Sequence, residues 1–184
     1  MRPPRRSLNT DAVTIRRLVP ADALAYRQLM LEAYERHPDA FTSSVSERAA
    51  LPFSWWESRL SEVPQASEVV LGAFDEDHLV GVAGLSFEIR EKANHKATLF
   101  GMYVPSEFRQ RGIGRELVLA ALEHARSRHH IKLVQLTVTH GNAAAQGLYE
   151  HCGFVQFGVE PFAVAVGDEF VSKVHMWCKL ERHA

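Results

Sequence analysis

The chain has 184 residues, a formal net charge of -1, and hydrophobic residues at 46% of its positions. This length suffices for one domain with a substantial core and is short for two, and the composition is that of a globular protein. The nearly neutral charge excludes the basic surface typical of proteins that bind nucleic acid or anionic membranes. No apolar run approaches the length of a membrane span, so we expect neither nucleic acid nor a membrane as a partner.

The amino-terminal residues, the two cysteines and the histidines each lead to a prediction. Residues Met1 to Arg6 are basic but precede no apolar segment, so they do not form a secretory signal. We expect residues 1–10 to be a flexible basic tail and residues 11–184 to form the domain. Cys152 and Cys178 do not make a disulfide framework, which fits a reducing cytoplasm. The ten histidines show no metal-ligand spacing, so no metal is expected.

Periodicity and turn signals predict the elements in chain order. They are a strand at 13–18, helices at 20–36 and 55–62, strands at 69–74, 79–88 and 97–104, a helix at 113–128, a strand at 132–138, a helix at 143–151, and strands at 154–157 and 169–180. Ser54 and Glu57 form a capping-box pattern that supports the second helix. Residues 39–51 show no clear periodicity and receive no assignment.

The order of these elements predicts the fold class. The strands at 69–74 and 79–88 are joined by a short turn and should pair antiparallel. A helix connects the strands at 97–104 and 132–138, so these two should run parallel. We therefore expect a single α/β domain whose mixed, mostly antiparallel central sheet is flanked by helices.

The loop after Pro105 carries closely spaced arginines and glycines and leads directly into the helix at 113–128. A strand that runs through such a loop into a helix N-terminus presents unpaired backbone N–H groups, which suit an anion. Gly112 and Gly114 lack a Cβ, so a phosphate can approach the main chain closely. The loop has no Lys-Ser/Thr pair of a P-loop, and Leu117 stands where a dinucleotide fingerprint needs its third glycine. The alternative is an ordinary turn that requires two glycines.

Two patterns follow the two strands that are predicted to be parallel. The first is Arg109-x-x-Gly112-x-Gly114, preceded by Val104-Pro105. The second is Asn142-x-x-Ala145, followed by Leu148-Tyr149-x-x-x-Gly153-Phe154. Together they resemble the signatures of the GNAT superfamily of acyl-CoA-dependent N-acetyltransferases. The resemblance implies the GNAT fold, with a sheet splayed at the parallel pair, and acetyl-CoA as co-substrate.

The resemblance also implies where the coenzyme binds. The thioester carbonyl would meet the Met102 N–H, the pantetheine arm would follow the strand to Val104, and the pyrophosphate would lie over the loop. The implied coenzyme residues are Met102, Tyr103, Val104, Arg109, Gln110, Arg111, Gly112, Ile113, Gly114, Arg115, Asn142 and Tyr149. The three arginines have surface solubility as an alternative role, and Asn142 is also a good helix N-cap.

Transfer from a thioester to an amine needs a neutral amine, a stabilised oxyanion and a protonated leaving thiol. The resemblance places the Met102 N–H at the oxyanion and Tyr149 as the acid for the sulfur, although Tyr149 could instead only pack on the coenzyme. Some family members carry a glutamate base at the position of Thr98, and a threonine cannot serve as a base. The base stays open between Glu47, Glu88, His140 and a water relay. Nothing supports Cys152 as a nucleophile, because the amine attacks directly in this family.

The segment 39–57 is expected to wall the acceptor site, because these helices flank the crevice in the family. The candidate acceptor-binding residues are Phe41, Glu47, Trp56, Glu88 and His140. One carboxylate with several aromatic rings favours a small amine or amino acid over a long basic peptide. The alternatives are a peptide or protein acetyltransferase and a non-catalytic acyl-CoA-binding module. The sequence leaves the oligomeric state open, a homodimer included.

Overall fold

The computed structural model describes residues 13–181, so the predicted tail at 1–10 lies outside the described part of the chain. The strands are β1 (Thr14–Arg17), β2 (Glu68–Asp75), β3 (His78–Phe87), β4 (Lys96–Tyr103), β5 (Leu133–Thr139), β6 (Val155–Val166) and β7 (Glu169–Lys179). The helices are α1 (Ala23–Arg36), α2 (Val45–Ala49), α3 (Phe53–Arg59), α4 (Ile113–Ser127) and α5 (Ala143–His151).

The unassigned segment at 39–51 contains the helix α2, which the sequence analysis missed. Its N-terminus is a capping box, in which the Glu47 N–H donates to Ser44 Oγ at 3.2 Å and the Ser44 N–H donates to Glu47 Oε2 at 2.8 Å. The same four-residue pattern at Ser54 is not a cap, because α3 begins one residue earlier with Pro52 as its N-cap. The predicted capping box at Ser54 was therefore wrong, and the real one lies ten residues before it.

The strand β6 is much longer than the predicted 154–157. It pairs antiparallel with β7, with shifts of register between Gln156 and Gly158 and between Glu160 and Val164. Pro161 lies within the second shift, and proline is tolerated in a strand at an edge or a bulge because no ladder hydrogen bond is lost. The glycine and the proline hid the continuation of this strand from a pattern-based prediction.

The seven strands form one sheet in the order β1-β2-β3-β4-β5-β7-β6. All neighbours pair antiparallel except β4 and β5, which run parallel over three residue pairs from Lys96↔Leu133 to Thr98↔Gln135. The predicted mixed, mostly antiparallel sheet with one parallel pair is confirmed.

Alternate side chains of β2 show how the helices cover both faces of the sheet. Val69 and Leu71 belong to the apolar cluster that includes α4, the buried side of α5 and strands β5 and β7. Val70 belongs to a second cluster formed with α1 and α3. Because successive strand residues point to opposite faces, α1 and α3 lie on one side of the sheet and α4 lies on the other.

None of the helices between residues 13 and 181 is long and apolar enough to cross a membrane. Within the same range, no three His, Cys, Asp or Glu side chains are grouped so that they could hold a metal ion. Cys152 and Cys178 are both buried and unbridged.

The core on the α1 side depends on Trp56, which is 0% exposed and packs edge-on against Tyr26 at 5.6 Å between ring centroids. Trp56→Ala should lower the free energy of unfolding by about 3–5 kcal/mol because it leaves a large cavity. Phe53→Ala on the same helix removes a side chain that is 45% exposed and should cost well under half as much. Urea unfolding of both variants measures this, and equal losses would contradict the packing described.

Candidate functional site

The site lies where the parallel strands separate. β4 and β5 are paired only as far as Thr98 and Gln135, and β4 then bulges, with Gly101 at a φ of 58°. Beyond that point the edge of β4 faces a cleft instead of a neighbouring strand. Open α/β sheets bind ligands in crevices of this kind, at the carboxyl ends of the strands.

The cleft contains two adjoining cavities. The outer one, which we call the loop cavity, has a volume of about 690 Å³ and lies between the end of β4, the loop before α4 and the start of α5. Eleven of the twelve predicted coenzyme residues line it. They are Met102, Tyr103, Val104, Arg109, Gln110, Gly112, Ile113, Gly114, Arg115, Asn142 and Tyr149.

The inner one, which we call the inner cavity, has a volume of about 300 Å³. It is lined by residues 98–102 of β4, residues 136–139 of β5, the segment 40–43, and the side chains of Tyr34, Arg48 and Arg59. Ala40, Phe41, Met102, Asn142, Ala145 and Tyr149 line both cavities. The two spaces therefore meet at these residues.

The loop before α4 is held in shape by its own residues. Gln110 and Gly112 have φ values of 61° and 77°, a left-handed conformation that costs a non-glycine residue roughly 1–2 kcal/mol. Arg109 Nε donates to the Val104 carbonyl at 2.9 Å, and its Nη2 lies 3.2 Å from His37 Nε2. Arg109 thus fastens the loop to the end of β4, a role that the sequence analysis did not foresee.

The other two arginines of the loop differ in position. Arg111 does not line the loop cavity: its Nη1 pairs with Asp75 at 3.2 Å, and its guanidinium lies against the Phe108 ring. Arg115 lines the cavity and makes an exposed ion pair with Glu116. The structure thus groups Arg115, but not Arg111, with the other predicted coenzyme residues.

The two glycines of the loop serve different physical needs. A Cβ built on Gly112 would meet nothing within 4 Å, so the main chain there is open to the cavity. A Cβ on Gly114 would lie 3.2 Å from the side chains of both Leu148 and Met102. Gly114 therefore allows close packing between α4, α5 and β4, while Gly112 leaves space beside the first N–H groups of α4.

Tyr149 and Met102 lie together at the junction of the cavities. The Tyr149 hydroxyl lies 3.5 Å from Met102 Sδ, within the range of a weak hydrogen bond to sulfur. Burial raises the pKa of Tyr149 to about 12, so the phenol carries its proton throughout the neutral range. Asn142 caps α5 by accepting from the Ala145 N–H at 3.1 Å; it also lines both cavities.

Of the five predicted acceptor residues, only Phe41 lines a cavity. Trp56 is fully buried in the α1-side core, and His140 is exposed in the turn after β5. The Glu47 carboxylate caps α2, and the N–H of Ser44 lowers its pKa. Glu88 is bound by Arg90, which lowers the pKa of its carboxyl to about 2. These four side chains are therefore placed apart from the space that the described residues leave for an acceptor.

Sequence reasoning missed the arginines of the inner cavity. Arg48 lies on α2 and Arg59 at the end of α3. The signal that could have located Arg48 was the Ser44-x-x-Glu47 pattern, which fixes the start of α2 and hence the position of its fourth residue. No short pattern marks Arg59, because its place depends on how α3 packs on the sheet.

A buried lysine fixes the wall of the cleft. Lys173 on β7 donates from Nζ to the Thr139 hydroxyl at 2.9 Å and to the carbonyls of Asp39 and Ala40 at 3.2 and 3.1 Å. The Thr139 hydroxyl donates to the same Asp39 carbonyl at 2.8 Å. Burial lowers the pKa of Lys173. This cluster holds the segment 39–41, and with it Phe41, over the gap between β4 and β5.

The comparison with protein families shows the family of this chain. The sequence profile of the acetyltransferase (GNAT) family matches residues 28–154, which include every residue that lines the two cavities. The chain belongs to the GNAT family of acetyltransferases. The predicted family, the predicted fold and the class of acetyl-CoA-dependent N-acetyltransferase are thereby confirmed.

Individual GNAT proteins show the range of relatives. A ribosomal protein bS18 alanine N-acetyltransferase from Salmonella typhimurium is 31% identical over 61% of this chain and 80% of its own length. A spermidine N(1)-acetyltransferase from Vibrio cholerae is 26% identical over 74% of this chain and 86% of its own. A putative acetyltransferase from Salmonella typhimurium, solved with acetyl-CoA, superposes with a TM-score of 0.76 at 21% identity, covering 95% of this chain and 97% of that one.

The open space beside Gly112 allows a test of whether the loop contacts acetyl-CoA. Gly112→Val places a branched side chain beside the first N–H groups of α4 and should weaken acetyl-CoA binding at least tenfold, a loss of about 1.4 kcal/mol. Gly167→Val is the matched control, because Gly167 also has a positive φ, of 61°, and open space around it, but lies in the turn between β6 and β7.

Both variants should lose similar stability from backbone strain. Calorimetric titration with acetyl-CoA separates strain from coenzyme contact. If Gly112→Val binds acetyl-CoA as tightly as the Gly167→Val control, the loop does not contact the pyrophosphate.

Proposed function

We propose that this GNAT enzyme transfers the acetyl group of acetyl-CoA directly to the primary amine of a small molecule. The observation that carries the proposal is the pair of cavities that meet at Met102 and Tyr149. The larger one can take an extended coenzyme, and the smaller one, of about 300 Å³, matches the lower end of small-ligand sites. A large peptide acceptor would need an open groove in place of the inner cavity.

The loop cavity fits acetyl-CoA by its chemistry. The first N–H groups of α4 have no partner within the helix and suit the pyrophosphate; Arg115 adds positive charge beside them. The end of β4 and the residue after it, from Met102 to Val104, suit the pantetheine amides, because strand edges hydrogen-bond extended chains. Acetyl-CoA supplies an activated acyl group as a thioester.

The reaction forms one N–C bond and breaks one C–S bond. The amine nitrogen attacks the acyl carbon from the inner cavity, and negative charge develops on the acyl oxygen. The Met102 N–H is proposed to stabilise that charge. Tyr149 donates a proton to the departing sulfur and regains one from solvent, and the attacking nitrogen releases its proton to solvent. Burial raises the pKa of the Cys152 thiol, which supports direct attack over an acyl-cysteine.

Among the described residues, no side chain that lines the inner cavity supplies an evident base. The inner cavity is lined by no carboxylate or histidine from residues 13–181. Burial raises the pKa of Tyr34, so its phenol stays neutral and does not accept a proton either. Of the earlier candidates, a water relay is therefore the one that the geometry favours.

Because no described side chain of the inner cavity acts as a base, the pH dependence of kcat/KM should follow the pKa of the acceptor amine. Only the neutral amine attacks, and it forms as the pH rises through the pKa of the acceptor, so kcat/KM should rise with pH. No fall should follow at mildly alkaline pH, because the Tyr149 pKa of about 12 keeps its proton in place. Profiles for two acceptors with different amine pKa values check this. A midpoint that is the same for both would reveal a base on the enzyme.

Tyr149→Phe removes the proposed proton donor and keeps the ring. It should lower kcat by about 10²–10⁴-fold while changing the acetyl-CoA dissociation constant less than about threefold. Tyr26→Phe is the matched control: its hydroxyl is also buried and its pKa is also about 12, but it lies in the α1-side core. An unchanged kcat in Tyr149→Phe, with chemistry limiting the rate, would remove Tyr149 from the acid role.

The proposed function itself is tested by release of free coenzyme A thiol from acetyl-CoA with a panel of amines. The panel should contain amino acids, polyamines and short peptides with a free N-terminus. Thiol release with small amines supports the proposal, and release only with peptides would make the chain a peptide acetyltransferase. Binding of acetyl-CoA without release with any amine would make it a binding module.

A further inference from the structure

The charges that line the inner cavity are of one sign. Among the described residues that line it, the side chains ionised at neutral pH are Arg48 and Arg59. The remaining lining is made of aromatic rings, aliphatic side chains and hydroxyls, such as Phe41, Leu136 and Thr98. The cavity therefore combines polar and apolar groups with two guanidinium groups and no carboxylate among its described residues, which is an unexpected environment for a cationic amine.

The charge of Arg59 is already compensated. Its Nε and Nη2 donate to the two carboxylate oxygens of Glu68 at 3.0 and 3.3 Å, a bidentate pair. The guanidinium lies between the rings of Trp55 and Phe100, at 4.8 and 4.6 Å from their centroids. Arg59 is thus fixed by protein groups on several sides and has little capacity left for a ligand.

In the part of the chain that the structure describes, Arg48 has no such ion pair, although it also lies near aromatic rings. Its Nε is buried and has no hydrogen-bond partner within the described range of 13–181, and no carboxylate there forms an ion pair with it. Its guanidinium lies 4.8 Å from the Trp55 ring centroid and 6.0 Å from that of Tyr34. The carboxylate next to it in the chain, that of Glu47, is used in the α2 cap.

Because the Arg48 Nε is fully covered, a ligand would meet the terminal N–H groups of this side chain. A charged group that is partly removed from water gains from an opposite charge beside it. A carboxylate is the ligand that matches a guanidinium best, because it accepts two parallel hydrogen bonds. We propose that the acceptor is a primary amine that also carries a carboxylate, and that Arg48 binds this carboxylate in the inner cavity. This inference rests on the proposed function, since it assigns the acceptor to that cavity.

The same charges argue against other acceptors. A polyamine would bring several positive charges against two guanidinium groups without a carboxylate in the lining to offset them. A peptide N-terminus has an amide in place of the α-carboxylate and cannot form the ion pair. An α-amino acid has the amine and the carboxylate on one carbon, so Arg48 can orient the nitrogen towards the junction at Met102 and Tyr149.

The test compares each L-α-amino acid with its own carboxamide as acceptor, by thiol release from acetyl-CoA. The two compounds share the amine and the side chain and differ in the carboxylate. Because the amide lowers the pKa of the amine, kcat/KM is expressed per neutral amine. At least one amino acid should exceed its carboxamide by about tenfold or more, the usual worth of a hydrogen bond to a charged group.

Variants of Arg48 connect this preference to one side chain. Arg48→Met should bring the ratio of amino acid to carboxamide close to one, and Arg48→Lys should retain part of it. Arg27→Met is the matched control, because Arg27 contacts the end of α2 through the Ala49 carbonyl but lines neither cavity. It should keep the wild-type ratio. All three should bind acetyl-CoA like the parent, which shows that they are folded.

The outcomes separate this inference from the proposed function. Thiol release with polyamines or carboxamides at rates equal to or above those of the amino acids would overturn the role of Arg48 while leaving small-amine acetylation intact. A preference for amino acids that survives in Arg48→Met would overturn it as well. Acetyl-CoA binding without thiol release from any amine would refute the proposed function.

Discussion

The separation of β4 from β5 is the constraint on which the site depends. The strands share three residue pairs, and beyond Thr98 the edge of β4 has no strand beside it. Unpaired backbone groups need hydrogen-bond partners, and an extended ligand with its own amides can supply them. Since parallel strands end at the same edge of the sheet, the helices that follow them, α4 and α5, both begin beside the gap. Their N-terminal N–H groups give it a positive potential.

The gap between β4 and β5 stays open because the segment 39–41 passes over it and is held by side chains on its far side. Lys173 and Thr139 hold the segment 39–41 by its carbonyl groups, so the chain between α1 and α2 crosses over the cleft without filling it. A buried lysine is tolerated because its three donors all have acceptors. The result is a division of the cleft into an outer and an inner cavity that meet at a few shared side chains, Phe41 and Tyr149 among them.

Positive side chains around the cleft divide into those that build it and those that remain for ligands. Arg109 fastens the loop to the Val104 carbonyl, and Arg59 is held by Glu68. Arg111 pairs with Asp75 away from the cavity. Arg48 lines the inner cavity and Arg115 lines the loop cavity, and the positive charges of both are less compensated by protein groups. An arginine-rich pattern in the sequence therefore overstates the number of charges that a ligand can meet.

The sequence by itself determined the order of the strands and of the helices other than α2, the parallel pair, and the loop from Arg109 to Arg115. These depend on local signals: alternation in strands, glycines at a helix start, and a helix between two buried strands. The same local character explains why eleven residues that line the loop cavity could be named in advance, since they lie on two contiguous stretches of chain.

Only the tertiary structure decided the inner cavity. Its walls come from α1, the segment 40–43, α2, α3, β4, β5 and α5. Which of their side chains meet depends on packing between distant segments. Glu47 and Ser44 bind each other in the cap of α2, and Trp56 is buried in the core, so none of the three side chains lines the cavity. Arg48 came to face the gap because α2 packs beside α1 and α3 above the diverging strands. Such a position follows from three-dimensional contacts between residues far apart in the chain, which carry no local sequence signal.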